Sequence, residues 1–470
     1  MSDERKGRGA RKGGGVGGPV AEGRAAAVSP ARWAAFGILR RVEEEGAFAA
    51  PLLANLADSM RADDRALCYE LVLGVLRRQL WLDKLLEHYA GRDAQTLDAP
   101  VRHALRLGLY QLRFLTRVPA RAAVNESVNL AHAARLHSAA SFINAVLRRA
   151  GREPDYDPAA AVADAVERAA VETSHPAWLI ARWADAFGRQ EAFDFARANN
   201  AHAPVSFRLN PLRAEASEVI DKLRAAGVRV EPSQIAPGGW RMEESGDASP
   251  LLRAWADDGS LYMQDEASQL VAHVLGARAG ERVLDVCAAP GSKTTHVAAL
   301  AGGRAHVVAG DIHAGRLRLL VELATRQGLK GIRPVALDAE SPLPFADASF
   351  DRVLVDAPCT GAGTLRHNPE IRWRIRPSDI LELSARQLAI LHGAARVVRP
   401  GGRLVYSTCS VEPEENEGVA AAFLGGVVDF RQVEAAPAPA RLLLNTGAAR
   451  TWPHRDGTDG FFVAAFERLA

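Results

Sequence analysis

The sequence predicts a multidomain protein: an all-α bundle, a small α/β module and a C-terminal α/β domain of Rossmann-like type. Three observations carry this. From Ala31 to about Arg152, apolar residues recur at helical spacing with no strand-type alternation between them. A Pro/Asp/Ala-rich stretch, Glu153 to Ala165, separates this region from a segment in which Val205, Phe207 and Leu209 interleave with Ser206, Arg208 and Asn210. Beyond residue 261, continuous apolar strands alternate with helical stretches, the pattern of a parallel sheet covered on both faces. At 470 residues the chain has room for two or three domains of ~100–200 residues each.

Residues 1–28 ("RKGRGARKGGGVGG" among them) combine Gly with Arg and Lys and lack the apolar core of a secretory signal, so a disordered basic tail is expected. The helical region spans 29–155. It starts with Ser29 as N-cap and Pro30 at the first helical position. Its paired arginines (Arg40/Arg41, Arg77/Arg78, Arg148/Arg149) stand near helix ends, where compensation of the helix dipole explains them more simply than a nucleic-acid patch. Residues 156–260 form a helical linker and the small module, whose alternating strand buries one face and offers Arg208 and Asn210 on the other, to solvent or to RNA. Residues 261–470 form the Rossmann-like domain, with strands from Arg282 to Val286 and ending at Asp311, Asp338, Asp356 and Thr408. Ligands of such sheets bind outside the carboxyl ends of the strands.

The composition, 48% hydrophobic and 24% charged, is that of an ordinary globular protein. No apolar run reaches the ~18 residues of a membrane span, so a cytoplasmic protein without a membrane partner is expected. The net charge of +2 neither demands nor excludes a polyanion. Four widely spaced cysteines with no CxxC argue against zinc and against a disulfide framework, and for a reducing compartment.

The chemistry-bearing residues cluster at strand ends. "DVCAAPGSKTTH", Asp285 to His296, supplies small residues and a Gly where a strand runs into a helix N-terminus, which lets backbone N–H groups approach a ligand. A GxGxxG fingerprint and a Walker A spacing are both absent. Asp311 stands where a Rossmann domain accepts ribose hydroxyls, so any nucleoside-containing cofactor would suit it. Asp338 either accepts from an adenine amine or caps a turn. Cys68, inside an apolar helix, reads as a small buried hydrophobe, and Cys287 as a packing residue of the loop. Cys359, after "VDAP", and Cys409, after "YST", both follow strand ends on the ligand-binding edge and read as reactive thiols; neither has a neighbouring His or Lys that would rank it above the other.

"DVCAAPGSKTTH", "DAPCTGAGTLRHNPEIRWR", "YSTCSVEPEENE", "GTDGFFVAAFER" and "LYMQDEASQLVAHVL" together resemble the Sun/RsmB family of S-adenosylmethionine-dependent 16S ribosomal RNA cytosine-C5 methyltransferases, and the helical region is similar to that family's NusB-like RNA-binding domain. The resemblance covers nearly all the chain except the tail. It implies that Cys287, Ala288, Ala289, Pro290, Gly291, Ser292 and Lys293 form the cofactor loop, with Asp311 on the ribose and Asp338 beside the adenine. It places Asp356 between cofactor and cytosine, Cys409 as the nucleophile and Cys359 as the residue that assists breakdown of the adduct. Ser292 departs from a pattern that usually has a second Gly. The implied partner is ribosomal RNA with an unfolded or single-stranded target loop, another ribosomal site or transfer RNA being the alternative, with no metal; the sequence leaves the oligomeric state undetermined, a monomer being expected. "LRHNPEIRWRIRP" interleaves Arg366, His367, Arg372, Arg374 and Arg376 with Trp373, which makes Arg366, Arg372 and Arg374, with Arg208, the expected RNA contacts. Two rivals are weighed. A non-catalytic assembly factor would need neither the paired thiols nor the strand-end aspartates, and an exocyclic-amine methyltransferase would carry an Asn/Asp-Pro-Pro-aromatic turn where this chain has Asp-Ala-Pro-Cys.

Overall fold

A computed structural model describes residues 28–56, 60–244 and 249–470; the expected basic tail, apart from its last residue, lies outside them. The N-terminal domain is helical, with long helices at Pro30–Glu44, Ala62–Arg77, Gln79–Ala90, Ala99–Phe114, Ala120–Ala133 and Ala140–Arg152. Pro30 opens the first helix after Ser29, as expected; the Ser29 hydroxyl accepts from Arg32 Nη1 at 2.9 Å. The spaced apolar residues meet in one core that includes Phe36, Leu39, Leu71, Leu105 and Leu147. Cys68 belongs to it, and burial pushes its thiol up to about 11. No helix among the described residues is long and apolar enough to cross a membrane.

Helices Ala165–Thr173, Ala177–Phe187 and Arg189–Ala198 lead to the small module. There β1 (Val205–Leu209), β2 (Arg229–Pro232), β3 (Gly239–Glu244) and β4 (Leu261–Met263) form an antiparallel sheet of order β2-β3-β1-β4. β4 lies just beyond the expected boundary at 260. The expected free polar face of β1 is corrected: Arg208 and Asn210 are each 1% exposed, because the C-terminal domain covers that face. Arg208 donates from Nε to Gln264 Oε1 (2.8 Å) and from Nη2 to Thr295 Oγ1 (3.0 Å), with its guanidinium over the Tyr262 ring. Asn210 Nδ2 donates to the carbonyls of Gly259 and Gln327. Both side chains are therefore domain fasteners.

The C-terminal sheet contains β5 (Arg282–Asp285), β6 (His306–Asp311), β7 (Ile332–Ala336), β8 (Phe350–Asp356), β9 (Val398–Thr408), β10 (Phe430–Val433), β11 (Ala449–Thr451) and β12 (Phe461–Arg468). Its order is β10-β12-β9-β8-β5-β6-β7, with β11 beside β12. Strands β5 to β9 run parallel, as their apolar continuity predicts, while β12 pairs antiparallel with β9 and β10 with β12 at that edge. The crossover connection reverses direction between β5 and β8, the point where such sheets open a ligand crevice.

Arg208→Ala is expected to cost about 2–3 kcal/mol of unfolding free energy in urea, because Gln264 and Thr295 lose a charged donor in a buried seam. A side chain serving only RNA would leave stability unchanged.

Candidate active site

β5 ends at Asp285, one residue earlier than the sequence suggests, so a fourth strand-end aspartate stands at the crevice. The rule that found Asp311 and Asp356 would have found it had the strand been closed one residue sooner. Asp285 is buried, accepts from Thr294 Oγ1 (2.7 Å) and Cys287 N (3.3 Å), and burial pushes its carboxyl up to about 7. The chain then turns into helix Ser292–Leu300 through Gly291 at φ +110°, where a Cβ would fall 2.8 Å from Leu320 Cγ, so only glycine fits. Ser292 is already the first helical residue and has no positive φ, so the departure from a second Gly leaves the turn intact.

A cleft of about 370 Å³ opens at these strand ends and brings together Cys287, Ala289, Asp311, Asp338, Asp356, Cys359 and Cys409. Asp311 ties loop to sheet: its Oδ2 accepts from Ala289 N (3.2 Å) and its Oδ1 from His313 N (2.8 Å). Asp338 stands two residues past β7, exposed, accepting from Glu340 N and Ser341 Oγ. Ala288 is buried and donates its N–H to Gly310 O (2.7 Å), whereas Pro290 faces an adjoining cleft. Burial and the nearby Asp285 push the Cys287 thiol well up, consistent with a packing role. Lys293 turns away from the loop, and its Nζ meets Asp356 Oδ2 at 2.7 Å and lies 5.1 Å from the centre of the Phe461 ring. Burial opposes the Lys293 charge, but the Asp356 carboxylate outweighs it and raises the pKa. Asp356 Oδ1 accepts from Ser407 Oγ at 2.8 Å.

The two thiols are neighbours, with their sulfurs 3.3 Å apart. The cause is register. β8 and β9 are adjacent and parallel with Asp356 opposite Ser407, so the turns that follow leave the sheet side by side. The hydrogen bond to Cys409, and burial, push the Cys359 thiol well above its ordinary range. Lys293 is within electrostatic reach of Cys409, the cation that neither cysteine has next to it in sequence. The remainder of "YSTCSVEPEENE" holds these turns. The buried Glu415 carboxylate accepts from Thr360 N and Gln387 Nε2 (2.9 Å each) and from the hydroxyls of Thr360 and Ser410. Tyr406 OH donates to Gln387 Oε1, and Glu412 receives Arg182 and Trp183 Nε1 from the linker helices.

The basic stretch after Cys359 is corrected. Arg366 is buried, donating to Asp459 Oδ1 (3.3 Å) and Gly457 O. Arg372 is 0% exposed and donates to Thr173 O, Ser174 O and Asn200 Oδ1, its pKa lowered to about 9 by burial. With Arg208, these two are closed to a polyanion. For Arg372 the physical reason is the 3₁₀ turn Pro369–Trp373, in which side chains three apart eclipse: Pro369 and Arg372 face inward, Ile371 and Arg374 the cleft. Arg374 alone of the four expected contacts lines the catalytic cleft. Among the described residues, Asp265, His367 and Asp459 are grouped as metal ligands would be, but Arg366 shares Asp459 and three N–H or O–H donors occupy Asp265.

The raised Asp285 pKa sets a pH dependence. Its contribution to stability is fully present below the ordinary value of 3.8 and is lost as pH rises through about 7. Asp285→Asn should flatten the decline in melting temperature between about pH 4 and pH 7; an unchanged slope would show that the carboxyl is not held protonated.

The chain matches the family described as 16S rRNA methyltransferase RsmB/F over residues 272–467, the NusB family over 29–152, and the ferredoxin-like domain of RsmF/B-type methyltransferases over 175–249. It is 36% identical over 445 residues to the probable ribosomal RNA small subunit methyltransferase B of Bacillus subtilis, covering 92% of this chain and 97% of that relative. It is 34% identical to ribosomal RNA small subunit methyltransferase B of Pseudomonas putida, covering 88% and 92%. The crystal structure of PH0851 superposes with a TM-score of 0.80 at 30% identity, covering 94% of this chain and 99% of that one. A methyltransferase homolog from Pyrococcus horikoshii follows at 26% identity and a TM-score of 0.57, covering 66% and 100%. S-adenosylmethionine is the methyl donor, and the residues present fit it: Asp311 offers a carboxylate to ribose hydroxyls, and Gly291 permits the tight turn beside the cleft. Three domains in the family's order, with a cofactor cleft and paired thiols at the strand ends, agree with these matches, and the chain belongs to the RsmB/F family of 16S rRNA methyltransferases.

Proposed function

We propose that this chain, acting as a cytoplasmic monomer, methylates C5 of a cytosine in an unpaired segment of small-subunit ribosomal RNA, with Cys409 as nucleophile. The observation that carries the reading is the pair of thiols 3.3 Å apart beside the Lys293–Asp356 ion pair, all from one chain. The loop from Cys287 to Lys293, with Asp311 and Asp338, holds S-adenosylmethionine, which when bound supplies an electrophilic methyl group on a sulfonium. Cytosine C5 is a poor nucleophile until C6 is attacked, and a thiolate is both a strong nucleophile and a competent leaving group.

Cys409 adds to C6, forming the S–C6 bond and placing electron density on C5. Asp356 has lone pairs left beside those engaged by Lys293 and Ser407 and accepts from the cytosine amine, while the Lys293 ammonium offsets the charge that develops on the ring. After C5 is alkylated, solvent takes the C5 proton, the electron pair it leaves restores the C5–C6 double bond, and the S–C6 bond breaks to release Cys409 as a thiolate. Cys359, protonated and in hydrogen-bond contact with Cys409, is placed to return the proton that the departing thiolate needs. An exocyclic-amine methyltransferase has no use for either thiol.

Cys409→Ala is expected to abolish methyl transfer, and Cys359→Ala to accumulate a covalent protein–RNA species on a denaturing gel. A covalent species that persists in Cys409→Ala would reverse the two roles. Bisulfite sequencing of small-subunit RNA from cells lacking the gene should lose one 5-methylcytosine; loss from another RNA would reassign the substrate.

A further inference from the structure

The cleft that holds both thiols is not built by the catalytic domain alone. The adjoining cleft, which shares both thiols with the cofactor cleft, measures about 900 Å³, near the top of the ~300–1,000 Å³ typical of a small-ligand site. Phe48 of the helical domain lines it, together with Cys359, Cys409 and Arg374. Phe48 is 47% exposed and is not among the residues of the helical core. Yet the backbone on both sides of it is pinned to the catalytic domain. Arg374 Nη2 donates to Ala47 O (2.6 Å) and Val42 O (3.1 Å), and Ala49 N donates to Glu370 Oε1 (2.8 Å). The Arg374 guanidinium carbon lies 4.8 Å from the centre of the Phe48 ring. Three hydrogen bonds thus hold the backbone around an exposed ring while a cation takes one of its faces.

We propose that Phe48, backed by Arg374, is a stacking platform for an unpaired RNA base flanking the target cytosine, so that the helical domain positions substrate inside the catalytic cleft. This rests on the reading of the chain as an RNA cytosine methyltransferase. Unstacked bases of single-stranded RNA are commonly received on aromatic rings and guanidinium planes, and a cytosine drawn out of its stack leaves neighbours that need such a surface. Arg316 and Arg386 line the same cleft, paired with Asp311 and Glu340, so the platform rests on the ring and the Arg374 plane and not on free charge.

The test uses the full chain, S-adenosylmethionine with a labelled methyl group, and unmodified small-subunit RNA transcribed in vitro. Phe48→Ala and Phe48→Leu should each raise the KM for RNA by at least about fivefold with kcat and cofactor affinity little changed, while Phe48→Trp retains the wild-type KM. A Phe48→Leu variant with wild-type KM would reduce Phe48 to apolar packing and overturn the platform, as would a rise in KM accompanied by a matching fall in melting temperature. A wild-type chain that transfers no methyl to this RNA would sink the underlying reading and the platform with it.

Discussion

Parallel pairing of β8 with β9 is the constraint on which the active site depends. Neither thiol is close to the other in sequence, and each hangs on a turn that could point in several directions. Register decides: with Asp356 opposite Ser407, the two turns leave the sheet together and meet at 3.3 Å. Glu415 then locks them. A fully buried carboxylate is costly unless every lone pair is engaged, and here four donors from Thr360, Gln387 and Ser410 engage it. The acidic run after Cys409 is therefore internal scaffold, and its charge is consumed inside the protein.

The same economy shapes the seams between domains. Guanidinium groups of Arg77, Arg208, Arg366 and Arg372 are buried, and carbonyl oxygens or neutral side chains take most of their hydrogens. Burying a cation with so few carboxylate partners is expensive, and Arg208 and Arg372 show it as pKa values lowered to about 10 and about 9. The return is geometric. Planar five-donor groups bridge backbone from two domains at once, which fixes the edge of the helical domain against the catalytic cleft.

Much of the fold was legible because its periods are strong. The helical spacing from Ala31 to Arg152, the continuous apolar strands and the strand-end positions of Asp311 and Asp356 all follow from local sequence. Asp285 escaped because the strand was read through Val286, one residue too far. Arg208, Arg366 and Arg372 were misread for a different reason: charge is written in the sequence, but exposure is not. The 3.0-residue repeat of the turn Pro369–Trp373 turned Arg372 inward, the docking of β1 on the catalytic domain covered Arg208, and Asp459 with the Gly457 carbonyl drew in Arg366; none of these leaves a composition signal.

By itself, the sequence determined what stands at the carboxyl edge of the sheet: two thiols and three aspartates at or just past strand ends, a position dictated by apolar continuity. Only the tertiary structure decided how they act on one another. Which strands are neighbours is a long-range choice, and it set Cys359 against Cys409, carried Lys293 to Asp356, and brought Phe48 from the helical domain to the cleft. Those contacts join residues tens to hundreds of positions apart, where no local pattern reaches.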